Sequence, residues 1–286
     1  MNFRYLADHL RSTGEAAARF FKTEQGISKF EVEAPIDKHL GYRPALGAMT
    51  RDYHHLCIEV SESPYPRSLD AVVLDIVNRA LPVKLFVAFP GGTEPADYKQ
   101  LVDRARTNGV GVVEIFPDRG EVIHQATPLS LMSVRRIEKG RFPLRYRAAL
   151  SEAEAVFLSG SPSPGCQLIY QEIENLSRAI AEKTKALRLW RALRPGEKAP
   201  RLNLRRGPWA KVLETLQGHL DPQKCSCIER ALLNRIAGVT PYRNETGHRA
   251  RNRVERMKRD KEIRTRFESA CDLLLDLVNA SKPLRV

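Results

Sequence analysis

Arg243 and His248, five positions apart in the run Pro241-Tyr242-Arg243-Asn244-Glu245-Thr246-Gly247-His248, are the residues whose types and spacing best suit a chemical task. On a helix that separation is about one and a half turns, so a guanidinium and an imidazole can reach one phosphodiester. RNA brings its own nucleophile, the 2′-hydroxyl. Cleavage then needs a proton-transfer group that works near neutral pH and a positive charge on the pentacoordinate phosphorus. His248 suits the first task and Arg243 the second, since the planar guanidinium fork matches phosphate oxygens. Asn244 is placed to orient the phosphate or the imidazole. The expected products are a 2′,3′-cyclic phosphate and a 5′-hydroxyl, formed with no metal or other cofactor. One histidine is thin for two proton transfers, so a homodimer that joins two motifs across a two-fold axis is expected.

The element that must position these groups is a long basic helix. Thr240-Pro241 reads as a helix start, because Thr can cap an early amide and Pro lacks the amide that would be orphaned. That places Arg243 and His248 in the anion-favouring field of a helix N-terminus. Ten Lys/Arg against four Asp/Glu lie between Pro241 and Arg266, and Arg249, Arg251, Arg253 and Arg256 are expected to hold RNA backbone. A surface arginine and a helix-embedded histidine would show the same spacing, so context decides.

Charge supplies part of that context. Residues 1–125 carry 15 Lys/Arg against 17 Asp/Glu, which leaves 32 against 17 beyond and puts the whole excess of the +13 net charge in the C-terminal part. A polyanion partner for that part follows, with a merely solvated basic surface as the bland alternative. The 286 residues suggest two domains. No apolar run approaches the ~20 residues of a membrane helix. The N-terminus lacks the basic, apolar and small-residue regions of a signal peptide, so a cytoplasmic protein is expected. Five cysteines with one C-x-C pair read as reduced structural residues.

Periodicity predicts a helix over 3–21 and extended segments at 28–33, 45–50 and 55–60. A helix over 69–81 with Ser68 as its cap, a strand over 82–90, a helix over 95–108 and a strand over 110–116 follow. Strands alternating with helices imply parallel crossovers in a covered α/β sheet. Gly160-Ser161-Pro162-Ser163-Pro164-Gly165 reads as a linker. Helices are then expected over 167–191, 208–216, 222–236 and 241–279, the last with a break, with an apolar stripe through Leu168, Ile169, Ile173, Leu176, Ile180 and Leu187. The organisation is an α/β domain over 1–125, a connector over 126–165 and an all-α helical bundle over 166–286.

Arg243-Asn244-Glu245-Thr246-Gly247-His248, on a late long helix of an all-α domain, resembles the motif of the HEPN ribonuclease family: an Arg, commonly followed by Asn, then a His a few residues on. The resemblance covers about 166–286. It implies a dimeric, metal-independent endoribonuclease of toxin–antitoxin or phage-defence type, with Arg243, Asn244 and His248 catalytic and an antitoxin or defence-system protein as a further partner. Members paired with nucleotidyltransferases often carry a Tyr two places after the His, where this chain has Ala250. The N-terminal element order resembles the restriction-endonuclease-like fold of the PD-(D/E)xK superfamily, a mixed sheet. Here Pro44-Ala45 lacks the metal-binding Asp and Glu59-Val60-Ser61 has Ser in place of the Lys, so an inactive domain for sensing or docking is implied, with no metal held.

Two rival readings stay open. One is a metal-dependent DNA endonuclease using Glu59 and Asp52, although Asp52 is equally a turn residue. The other is a non-catalytic nucleic-acid-binding assembly subunit in which Arg243 only contacts phosphate. Smaller features have plain readings: His54-His55 alternate into one buried and one surface ring, Cys225-Ser226-Cys227 are packed thiols, Gly91-Gly92 make a strand-to-helix turn, and Trp190 and Trp209 anchor the helical core.

Overall fold

The computed structural model describes residues 3–92, 95–195, 197, 200, 202–244 and 250–285, with Gln25 and Asn244 described in their backbone only. The contacts group the chain into two compact units. One takes residues 1–134, 158–160 and 248–264, and the other takes 135–157, 161–247 and 265–286.

The first unit is built on a six-stranded mixed sheet in sequence order. Its strands are β1 (Glu31–Val32), β2 (Leu46–Met49), β3 (His55–Val60), β4 (Val83–Pro90), β5 (Gly111–Ile115) and β6 (Gly120–His124). The β1, β2 and β3 neighbours are antiparallel, β3, β4 and β5 run parallel, and β6 returns antiparallel beside β5 with an irregularity at Val112/Val113. The parallel centre follows from its connections, since α2 (Leu69–Asn78) and α3 (Tyr98–Thr107) are the crossovers into β4 and β5. Leu56, Ile58, Phe86, Ala88 and Val113 pack on one face with Ala17, Ala18 and Phe21 of α1 (Asp8–Gln25). Cys57, Leu85, Val87, Phe89 and Val112 pack on the other with Leu69, Val73, Ile76 and Ala105. Strands buried on both faces need apolar residues at every position, which is why β4 reads as an unbroken Leu-Phe-Val-Ala-Phe run.

The expected order of helix, three extended segments, helix, strand, helix, strand is present, as is the coarse division into an α/β part and a helical part. Details differ. The first helix starts at Asp8 because Phe3 is tucked into the core ahead of it, with Gly14 leaving room for its ring. Ser68 makes no capping bond.

The second unit is helical. It contains α4 (Leu144–Leu158, its last residue apart), α5 (Pro162–Ala186), α6 (Trp209–His219), α7 (Arg230–Val239) and residues 265–281 of α8 (Arg253–Ser281). Its interior includes Leu150, Phe157, Ile169, Ile173, Ile180, Leu213, Ile236, Phe267 and Leu274, all at most 2% exposed. Of the expected stripe on α5, Leu187 is 49% exposed, beyond the helix end. The expected linker is instead the first turn of α5, where Pro162 and Pro164 are tolerated because those amides have no helical partner. Gly165 belongs there for packing, since a Cβ would stand 2.8 Å from the Ala153 carbonyl and the Phe157 side chain of α4. Among the described residues no helix is long and apolar enough to cross a membrane.

Candidate functional site

The end of α7 explains where Arg243 sits. Pro241 has no N–H to give the Ala237 carbonyl four residues back, so the α-helical ladder stops there. Thr240 takes over that carbonyl, donating to it from its backbone N–H and from its hydroxyl at 2.9 Å. The chain tightens into a 3₁₀ turn, Thr240–Asn244. Thr240 and Pro241 therefore finish one helix rather than start the next, and the N-terminal field expected around Arg243 is absent. The carbonyl end of α7 favours its positive charge instead.

The next helix, α8, opens at Arg253 for a reason the sequence carried. Asn252 Oδ1 accepts from the Glu255 amide at 2.9 Å, and Glu255 Oε2 accepts from the Arg251 amide at 2.7 Å. This is a close variant of the capping box, and the Asn-x-x-Glu spacing was its signal. His248 and Arg249 lie outside the described residues.

Arg243 is held by a residue that the motif does not contain. Glu174, on the inward face of α5 and 5% exposed, accepts from Arg178 at Oε1 through Nε at 2.9 Å and Nη2 at 2.5 Å. Its other oxygen, Oε2, lies 2.7 Å from Arg243 Nε, an ion pair without the alignment of a hydrogen bond. Arg178 is further fixed by donating Nη1 to the Leu204 carbonyl at 3.1 Å. The Arg243 side chain stays 37% exposed, and its Nη1 and Nη2 have no partner among the described residues. Beside it, Tyr242 is 37% exposed and carries the Arg266 guanidinium 4.1 Å from its ring centroid. A charged pair in the middle of the Ile169-Ile173-Leu176-Ile180 stripe was the sequence signal for Glu174 and Arg178, since a buried carboxylate demands a cation.

The arginines expected to hold RNA divide by what they touch. Arg253 donates to the Ile36 carbonyl at 3.1 Å and to Asp37 Oδ2 at 3.2 Å. Arg256 donates twice to Asp260 Oδ1, at 2.9 and 2.7 Å. Both guanidinium groups are engaged inside the first unit. Arg251 and Lys258 are exposed and carry no ion pair among the described residues.

Asp260 is fully buried. Its Oδ2 also accepts from Ser130 Oγ at 2.5 Å and stands 3.7 Å from His54 Nε2, beyond hydrogen-bond distance. Burial alone would raise the Asp260 pKa, but His54, Arg256 and Ser130 together hold it below the usual carboxylate value. In the order Ser-Asp-His the group against the Ser130 hydroxyl is a carboxylate held below its usual pKa, a poor proton acceptor, and Ser130 is itself fully buried, so the trio is not a nucleophile relay.

Glu59 and Asp52, which the DNA-endonuclease reading needs, differ in their surroundings. Glu59 Oε2 accepts from the Tyr42 hydroxyl at 2.7 Å, and burial raises its carboxyl above the ordinary value. Asp52 lies exposed in the β2–β3 turn. Among the described residues no group of three or more His, Cys, Asp or Glu is arranged to hold a metal. The Gly92 amide is already bonded to Glu114 Oε1 at 2.9 Å, which suits a plain turn. The cysteines are free, with Cys225 and Cys227 sulfurs 3.5 Å apart. Trp209 is buried, whereas Trp190 is half-buried and stacks on His219.

No protein-family model, curated protein or solved structure matches this chain.

Proposed function

We propose that the C-terminal part, residues 166–286, is a metal-independent endoribonuclease of HEPN type, acting as a toxin or defence effector in the cytoplasm, and that the N-terminal part, residues 1–125, senses or docks a partner. The observation that carries this reading is the state of Arg243: a side chain 37% exposed whose Nε is ion-paired with a buried carboxylate. An arginine that only decorated a surface would not need a buried anchor. In this reading the 2′-oxygen attacks phosphorus as His248 takes its proton, the P–O5′ bond breaks, and the leaving 5′-oxygen is protonated by a second acid. Arg243 bears the charge on the non-bridging oxygens. The second acid comes from the other motif of a homodimer.

The test is cleavage of mixed RNA by the purified protein in EDTA, beside Arg243→Ala and His248→Ala, with product ends analysed. Cyclic phosphate from the parent alone supports the reading. Metal-dependent cutting of DNA would favour the Glu59/Asp52 alternative, and salt-sensitive RNA binding that survives His248→Ala with no cutting would favour the assembly subunit.

A further inference from the structure

The groups around Arg243 assign a role to a residue outside the motif. We infer that Glu174 is a positioning residue, which holds the Arg243 guanidinium by its Nε so that the Nη edge meets the phosphate, and that Arg178 is the counter-charge that makes a buried Glu174 tolerable. This rests on the ribonuclease reading above.

Three features carry it. Glu174 is 5% exposed, so its charge must be neutralised by neighbours rather than water. Each of its two oxygens faces a different arginine: Oε1 takes both bonds from Arg178, and Oε2 is 2.7 Å from Arg243 Nε. The two arginines differ in exposure, with the Arg178 side chain at 16% and the Arg243 side chain at 37%. Arg178 is also anchored on the Leu204 carbonyl, whereas Arg243 has no second anchor among the described residues. One arginine serves the interior and the other is presented outward. A guanidinium held at Nε keeps a parallel pair of N–H groups on its far edge, the fork that matches two phosphate oxygens. An untethered arginine would carry the same charge with less of it in place at the transition state.

The experiment uses the full chain with Glu174→Gln, which keeps shape and removes charge. A single-stranded RNA with 2′-O-methyl groups serves as an uncleavable binding probe, unmodified RNA as substrate, and the Arg Nε–Hε NMR correlation of Arg243 as a direct readout, assigned by its loss in Arg243→Lys. The expected result is near-parental melting, binding of the uncleavable RNA at parental strength or tighter, kcat lower by about 10- to 100-fold at unchanged KM, and loss or rapid exchange of the Arg243 Nε–Hε signal. If Glu174→Gln unfolds the chain, the double change with Arg178→Gln removes both buried charges and replaces it. An unaltered Arg243 signal overturns the proposal, and so does parental cutting by Glu174→Gln where Arg243→Ala is inactive. Parental cutting by Arg243→Ala instead overturns the ribonuclease reading. In that case, or if no form cuts, the NMR signal alone decides whether Glu174 holds Arg243.

Discussion

Ser130 Oγ donates to Asp260 Oδ2 at 2.5 Å, joining residues 130 positions apart inside the first unit. The same carboxylate takes two bonds from Arg256, one turn earlier on α8, so one buried anion fastens the opening of that helix to the segment after the sheet.

Removing that anion strands Arg256 and Ser130 in a site that is 0% exposed at Asp260. Asp260→Ala is expected to cost about 3–5 kcal/mol, the scale for breaking one partner of a buried ion pair. Urea unfolding at pH 7 measures it. The Asp260 pKa is lowered on folding, so its contribution is present above the unfolded value near 4 and is lost as pH falls through the lower folded value.

His54 and His55 set a second window. Burial pushes the His55 imidazole down to about 4, with the Arg253 cation helping and Asp37 opposing, and burial also lowers His54. Below about 6.5 the unfolded chain binds protons that the folded state refuses. Stability therefore falls as pH drops from about 6.5 towards 4, and His55→Gln flattens that slope in urea midpoints taken across the range.

Arg243→Ala should leave melting within a few degrees, because the side chain is half exposed and Arg178 still neutralises Glu174. RNA cleavage in EDTA should drop by about 10²- to 10³-fold, the usual loss when one charge-stabilising donor is removed. Single-turnover rates check this without interference from product release.

Arg251 and Arg256 should separate by readout. Arg251→Ala is expected to reduce the slope of log affinity for RNA against log salt by about 1 with no change in stability. Arg256→Ala should instead destabilise the fold and leave that slope intact, since its guanidinium is engaged with Asp260. Filter binding at four salt concentrations, paired with urea melts, distinguishes them.

Tyr242, 37% exposed and carrying the Arg266 guanidinium on its ring, is the aromatic neighbour of Arg243 in sequence, and a stacking role is expected of it if the ribonuclease reading holds. Tyr242→Ala is expected to weaken binding of single-stranded RNA by about 1–3 kcal/mol, with Tyr242→Phe near the parent and duplex RNA unaffected. Fluorescence anisotropy with the two probes checks it.

The sheet was legible because its central strands must be apolar on both faces, and Val83 to Phe89 shows this directly. β6 escaped because an edge strand buries little: Glu121 and Val122 are exposed, so no periodicity marks them. α4 is marked in the sequence by Tyr146, Leu150, Ala153 and Phe157, but the following Pro162, Pro164 and Gly165 have the composition of a linker, and first-turn prolines of a helix share it. Arg243 was singled out by residue type and spacing alone. The helix end before it was not legible, because Thr240-Pro241 fits both a helix start and a helix end, and only the fate of the Ala237 carbonyl tells them apart. The i,i+4 pair Glu174 and Arg178 was legible in the α5 stripe, but its link to Arg243 was not: the two are 69 positions apart, and no local pattern joins a buried carboxylate to a distant cation.

The margins of the sheet bear on how copies of this chain would meet. On one side β1 is two residues long and opens on the exposed Glu31, and on the other β6 carries the exposed Glu121 beside the irregularity at Val112/Val113. Short, charged and interrupted margins resist the addition of a further strand. Growth into fibres by ribbon extension is thus discouraged at both ends, and a two-fold pair would have to form through side-chain surfaces rather than through backbone pairing.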